Sequence, residues 1–236
     1  KNNIQQAIQK TKAIQQVRLV AVSKTKPAAL VKQAYETGHL HFGENYVQEI
    51  VEKAPQLPND IKWHFIGHLQ SNKVKQLITG VPNIYCIETV DSEKLASTIE
   101  KECSKSQIAI VRNNTPINVF IQVNTSGEAQ KSGIEPAKAV ELAQYIMKSC
   151  PHLKFTGLMT IGSADISLQN WHALPEAERK HHDFECLVQC RKDVSSALKC
   201  NESEIELSMG MSSDYEVAIA LGSTSVRVGS AIFGSR

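Results

Sequence analysis

Val17-Arg18-Leu19-Val20-Ala21-Val22-Ser23-Lys24-Thr25-Lys26-Pro27 is a nearly continuous apolar run that ends in a lysine and, three residues later, a proline. Such a run reads as a strand buried on both faces, the kind that parallel sheets use. Pro27 suits the first position of a helix, because its φ is already fixed near the helical value. A strand, a tight turn and a helix make one unit of a repeating pattern. Lys24 stands at its mouth, where desolvation lowers a lysine pKa and a neutral amine can condense with a carbonyl. The plain alternative is that Lys24 is the first solvated residue after the strand.

Downstream the pattern recurs. Leu30/Val31 and Ala34/Tyr35 keep helical spacing as far as Gly38, a C-terminal stop. Further strands are read over 39–43, 63–67, 84–88, 117–123, 155–161, 205–209 and 225–229. Helical patterns fall between them, one from Val47 to Pro55, one through Val74 and Leu77/Ile78, and one capped by Asp91 that runs to Cys103. Others begin at Pro136, lie around Phe184 to Leu198, and run from Asp214 to Leu221, while residues 2–15 read as an extra polar helix ahead of the first strand. Only the polar stretch Ser104–Pro116 and the long connection Gly162–Pro175 break the rhythm. Eight strand-then-helix units in 236 residues, without a linker, predict a single-domain α/β fold over 1–236: a closed (β/α)8 TIM barrel with parallel strands, near the usual length of about 250 residues.

Composition removes several classes of function. A net charge of +2, a pI near 8.2 and 21% charged residues give no electrostatic case for nucleic acid or a membrane surface. No apolar run approaches the roughly 20 residues of a membrane span, and Lys1 to Gln6 lack a signal-peptide core. The six cysteines form no CxxC pair or zinc spacing and read as free thiols of a reducing compartment. Cys186 and Cys190, with His181 and His182 upstream, read as one turn of an amphipathic helix rather than a metal site. The expected location is the cytosol, with a mitochondrial pool left open.

In barrels of this kind sites lie at the C-terminal strand ends, and phosphate is often held after strands seven and eight. After strand seven comes Met209-Gly-Met-Ser212-Ser213-Asp214-Tyr-Glu216, where Ser213 and Glu216 have capping-box spacing. After strand eight comes Gly229-Ser230. Backbone N–H groups and serine hydroxyls would converge there on an anion; the plain alternative is two ordinary helix starts. Closure of the barrel puts Lys24 beside strand eight. A lysine able to form a Schiff base next to a phosphate cradle fits pyridoxal phosphate binding or a class I aldolase. Arg227, two residues before Gly229, would discriminate: facing a pyridine nitrogen it keeps that nitrogen unprotonated and weakens the electron sink. Its plain alternative is an ion pair with Glu44, Glu88 or Glu206.

Val22-Ser-Lys-Thr-Lys-Pro27, Phe42-Gly-Glu-Asn-Tyr-Val-Gln-Glu49, Trp63-His-Phe-Ile-Gly67, Leu69-Gln-Ser-Asn-Lys73, Gly157-Leu-Met159, Leu207-Ser-Met-Gly-Met-Ser212 and Val226-Arg-Val-Gly229 run in order through the chain. Together they resemble the pyridoxal-phosphate homeostasis protein family, single-barrel relatives of the N-terminal domain of alanine racemase. The resemblance implies pyridoxal 5′-phosphate on Lys24 as a Schiff base, its phosphate at Ser212, Gly229 and Ser230, and Arg227 near the ring nitrogen. Asn45, His64 and Met159 match motif positions that line the same mouth. Ser230 stands where the family often has threonine, which keeps the hydroxyl. The implied function is reversible holding of the cofactor in vitamin B6 homeostasis, without substantial catalysis. Expected partners are pyridoxal phosphate itself, and beyond it pyridoxal-phosphate enzymes or free amino acids; the chain is expected to be a monomer. An amino-acid racemase and a class I Schiff-base aldolase are the alternatives. The eight units use all the residues in hand, leaving none for the β-rich second domain with which alanine racemases complete their site. Lys26 reads as solvated or as a second basic group near the phosphate, and Lys73 as solvated.

Overall fold

The computed structural model describes residues 17–128, 132–163 and 181–234. The strands are β1 (Arg18–Val22), β2 (His41–Glu44), β3 (Lys62–Phe65), β4 (Ile84–Val90), β5 (Ile117–Gln122), β6 (Leu153–Met159), β7 (Glu206–Ser208) and β8 (Ser225–Val228). Each pairs in parallel with the next, and β1 pairs with β8, so the sheet closes into a barrel in strict chain order. The helices are α1 (Ala28–Glu36), α2 (Val47–Lys53), α3 (Val74–Gly80), α4 (Glu93–Cys103), α5 (Ser106–Val111), α6 (Ala139–Ser149), α7 (His182–Leu198), α8 (Tyr215–Ala220) and α9 (Ser230–Phe233). The α/β barrel expected from the alternation is therefore present. The helix expected over 2–15 lies outside the described residues, as does the connection beyond residue 163.

Strand periodicity divides the side chains between two cores. Phe42, Trp63, Phe65, Ile87, Ile121 and Leu207 face outward and pack with Val31, Ile50, Leu77, Ile99, Ile146 and Phe184 of the helices. Burying each large apolar side chain contributes roughly 1.5–3 kcal/mol, so this outer layer carries most of the hydrophobic stabilisation. The barrel interior is mixed. Cys86, Phe120 and Met159 form its apolar cluster, while His64, Glu88, Ser208, Ser225 and Arg227 fill the rest, all buried.

Two local expectations change. Helix α4 is capped by Ser92, not Asp91: the Ser92 backbone is extended and its Oγ accepts from the Leu95 N–H at 3.2 Å, the preferred N-cap arrangement. Helix α8 begins after Asp214, whose Oδ1 accepts from the Met211 N–H at 2.5 Å. That closes the 211–214 turn one residue later than the sequence suggests, and Ser213 caps nothing. The irregular Ser104–Pro116 stretch holds the short helix α5 and then a turn with Asn113 and Asn114 at positive φ. Asparagine tolerates that conformation well. Among the described residues, no helix is long and apolar enough to cross a membrane.

Candidate functional site

At the C-terminal strand ends lies a cavity of about 470 Å³ lined by Lys24, Asn45, Ser212, Arg227, Gly229 and Ser230. Lys26, Val22, Ile66, Ile161, Met211 and Phe233 complete much of its wall. The closure of β1 onto β8 explains the gathering: Val20 aligns with Arg227 and Ala21 with Val228, so Lys24 and Gly229 emerge side by side. Lys73 is exposed, donates to Gln76 and does not line the cavity.

The loops after β7 and β8 meet directly. The Gly229 N–H donates to Oγ of Ser212 at 3.3 Å, which brings both hydroxyl-bearing loops to one corner of the cavity. A Cβ on Gly229 would lie 3.3 Å from the Val22 carbonyl oxygen, so the glycine keeps that seam tight. Gly210 is needed for another reason: its φ is +98° and a Cβ would sit 2.6 Å from that of Ala218. On the opposite wall, Oδ1 of Asn45 is buried and has no protein partner. A second, smaller cavity of about 160 Å³ shares Asn45, Ile66 and Ile161 with the first.

Arg227 borders the cavity from the barrel side. Its Nη1 donates to the Ser208 carbonyl at 2.9 Å and to Ser208 Oγ at 2.6 Å, and its Nη2 donates to the Thr160 carbonyl at 2.7 Å. Glu88 supplies the counter-charge at 3.8 Å. Of the three glutamates open as partners, Glu206 pairs with Arg18 and Glu44 with Lys53. Burial lowers the Arg227 pKa, opposed by the charges of Glu88 and Asp214. Burial also works to raise the Glu88 carboxyl, but His64, Arg227 and the Ser208 hydroxyl outweigh it and hold Glu88 below the ordinary carboxylate range.

His64 and Met159, which the resemblance implies at the mouth, are not among the residues that line this cavity. His64 is fully buried, with Nδ1 2.6 Å from Glu88 Oε1 and Nε2 2.9 Å from Nδ1 of His41. Met159 is fully buried with Cys86 and Phe120. Each lies two residues short of the side chain that does reach the cavity, Ile66 and Ile161 respectively. With a period of two, the same inward face is kept but one layer deeper. His64, Cys86 and Glu88 bring ligand atoms within 4.8 Å of one another, yet the histidine and the carboxylate engage each other and burial pushes the Cys86 thiol well up. Cys186 and Cys190 remain unpaired thiols, and His181 stacks on Phe184 with a ring separation of 3.5 Å.

The profile of the alanine racemase N-terminal domain matches residues 1–236. A pyridoxal phosphate homeostasis protein of Caenorhabditis elegans is 47% identical over 98% of this chain and 90% of its own. The chain belongs to the pyridoxal phosphate homeostasis proteins of the alanine racemase N-terminal domain family. The human family member is 44% identical, covering 94% of this chain and 77% of its own. Among solved structures of the family, PipY of Synechococcus elongatus with PLP bound superposes with a TM-score of 0.69 at 32% identity, over 97% of this chain and 99% of its own.

The family's motifs point to Lys24 and to the residues after β7 and β8. Beside them the structure shows a group whose joint role the motifs do not reveal, although two of its members, Glu44 and Glu49, lie within the Phe42–Glu49 motif. Lys53 and Glu49 grip the backbone on either side of Lys24, at Ser23 and Thr25, and Glu44 braces Lys53. In the sequence, Lys53 stands outside every quoted motif and shows only the spacing of a surface helix pair with Glu49.

Proposed function

We propose that this chain binds pyridoxal 5′-phosphate reversibly on Lys24 as a Schiff base and buffers or delivers it in the cytosol, without substantial catalysis of its own. One observation carries the reading: the β1–β8 seam joins a lysine amine, a buried arginine and two hydroxyl-bearing loops around one cavity. The group supplies an aldehyde that an unprotonated amine can condense with, releasing water, together with a phosphate and a pyridine nitrogen. The residues present fit it. Lys24 offers the amine, Ser212, Gly229 and Ser230 lie together for the phosphate, and the cationic Arg227 lines the same cavity. Asn45 Oδ1 offers a further unpartnered acceptor. The names of the relatives and the PLP-bound PipY structure support the same cofactor, and six unpaired cysteines suit a reducing compartment.

The test is a spectrum and a trap. Purified protein loaded with pyridoxal 5′-phosphate should be yellow, and borohydride should bleach it and leave a reduced adduct that peptide mass spectrometry places on Lys24. Lys24→Ala should abolish the adduct while the fold remains, since the residue lies past the end of β1. A full adduct in that variant, mapped to Lys26 or Lys73, would overturn the assignment. A class I aldolase would instead show cleavage of a phosphorylated sugar and no held chromophore.

A further inference from the structure

The turn that carries Lys24 is strained. Thr25 has φ = 64°, a left-handed conformation that a β-branched residue rarely adopts and keeps only where its surroundings over-determine it. Those surroundings are specific. The Thr25 N–H donates to Oε2 of Glu49 at 2.8 Å. Nζ of Lys53 donates to the Ser23 carbonyl at 2.9 Å, to Oε1 of Glu44 at 2.8 Å and to Oε2 of Glu49 at 2.9 Å. An ammonium has three donors, and these acceptors take all of them. Oγ of Ser23 donates to the same Glu44 oxygen at 2.7 Å. Both neighbours of Lys24 are thus tied to one largely buried cluster from β2 and α2, and none of Glu44, Glu49 and Lys53 lines the cavity.

A buried ammonium–carboxylate cluster is a poor way to gain stability, because desolvation offsets much of the attraction. It is a good way to fix geometry. We propose that Lys53, braced by Glu44 and Glu49, is a positioning residue for Lys24: it pins Ser23 directly and Thr25 through Glu49, and so holds the lysine amine toward the cavity. This rests on the reading of Lys24 as the residue that takes pyridoxal 5′-phosphate. Lys53 acts through the backbone and touches no ligand.

The experiment compares two ligands on the full chain. Pyridoxal 5′-phosphate reports the covalent linkage, by its absorbance and by the borohydride-trapped Lys24 peptide. 4′-Deoxypyridoxine 5′-phosphate has no aldehyde and reports the cavity alone. In Lys53→Met the equilibrium for the linkage should fall about tenfold or more, as for one lost hydrogen bond to a charged group, with the analogue's affinity within about threefold of wild type. Adding Thr25→Gly, which removes the strain the clamp opposes, should recover most of the linkage. Where Lys53→Met fails to fold, Glu49→Ala, at a partly exposed side chain, should give the same split. Amide exchange at Thr25 reads the clamp without any ligand and should be faster in either variant. Equal losses for the two ligands, wild-type linkage in the variants, or unchanged Thr25 exchange would each overturn the positioning role. Wild-type protein that forms no Lys24 adduct but shows the exchange effect would overturn the cofactor reading and leave the clamp standing.

Discussion

Nη1 of Arg227 stands 3.8 Å from Oε2 of Glu88, and the Ser208 hydroxyl bridges them, accepting from the arginine and donating to the carboxylate at 2.6 Å each. Both side chains are almost wholly buried. The barrel holds a second Arg–Glu pair, Arg18–Glu206, at 2.5 Å but with side chains 22% and 26% exposed. The shorter contact is the weaker one to lose. Removing one member of a buried pair leaves an uncompensated charge and costs about 3–5 kcal/mol, whereas a partly solvated pair is worth about 1 kcal/mol or less. Urea unfolding should therefore show a large fall for Glu88→Gln and a small one for Glu206→Gln. Equal falls would mean that Arg227 is balanced by something other than Glu88.

A phosphate at Ser212 and Ser230 makes a ligand-specific prediction. Replacing either serine with alanine should weaken retention of pyridoxal 5′-phosphate while hardly changing that of pyridoxal. A hydrogen bond to a charged group contributes roughly 1.5–3 kcal/mol, about ten- to a hundredfold in affinity. Titrating both ligands into each variant checks it, and matched losses would place the phosphate elsewhere.

The barrel was legible because its strands are buried on two faces and so read as continuous apolar runs, Val17–Val22 most clearly. The site's seam followed from closure alone, since strand eight must return to strand one. Depth along a strand was not legible. His64 and Met159 sit in motifs that reach the mouth, but a motif does not say which inward-facing residue is the last, and the answer is Ile66 and Ile161. Nor was the clamp on Lys24 visible. Ser23, Glu44 and Lys53 lie on three separate elements, and only folding brings them within 3 Å of one another.

His41 gives a pH dependence whose sign can be worked out. Burial first, then the neighbouring His64, Arg18, Lys62 and His39, lowers its pKa from 6.5 to about 3. Unfolded, the imidazole takes up a proton near 6.5; folded, it resists until about 3. Between those values the unfolded chain binds more protons, so stability falls as pH drops. From about pH 6.5 to 5, above the range where most carboxylates titrate, the slope should shrink in His41→Asn. Thermal midpoints across that window test it, and parallel curves for the two proteins would show that His41 is not the group responsible.

The chain should be a poor racemase. Racemisation needs a base on one face of the reacting carbon and an acid on the other, and Lys24 can serve one face. In alanine racemases a tyrosine serves the second. All five tyrosines lie among the described residues, and none lines either cavity at the mouth. Tyr35 donates to Asp60 away from the site. Tyr85 packs against His41 and His64 inside the barrel, and Tyr145 is half-buried on α6, packed against the outer core. Tyr215 is half-buried beside Glu216, and Tyr46 is 53% exposed next to Asn45. Under the proposed reading Arg227 would compound the deficit, because a guanidinium facing the pyridine nitrogen would leave it unprotonated and a weaker electron sink. Incubation of the cofactor-loaded protein with L-alanine in deuterated water should give slow Cα exchange and little D-alanine. Rapid deuteration with appearance of the D-enantiomer would sink the carrier reading and restore the racemase, with Tyr46, the tyrosine nearest the mouth in sequence, as the first residue to replace.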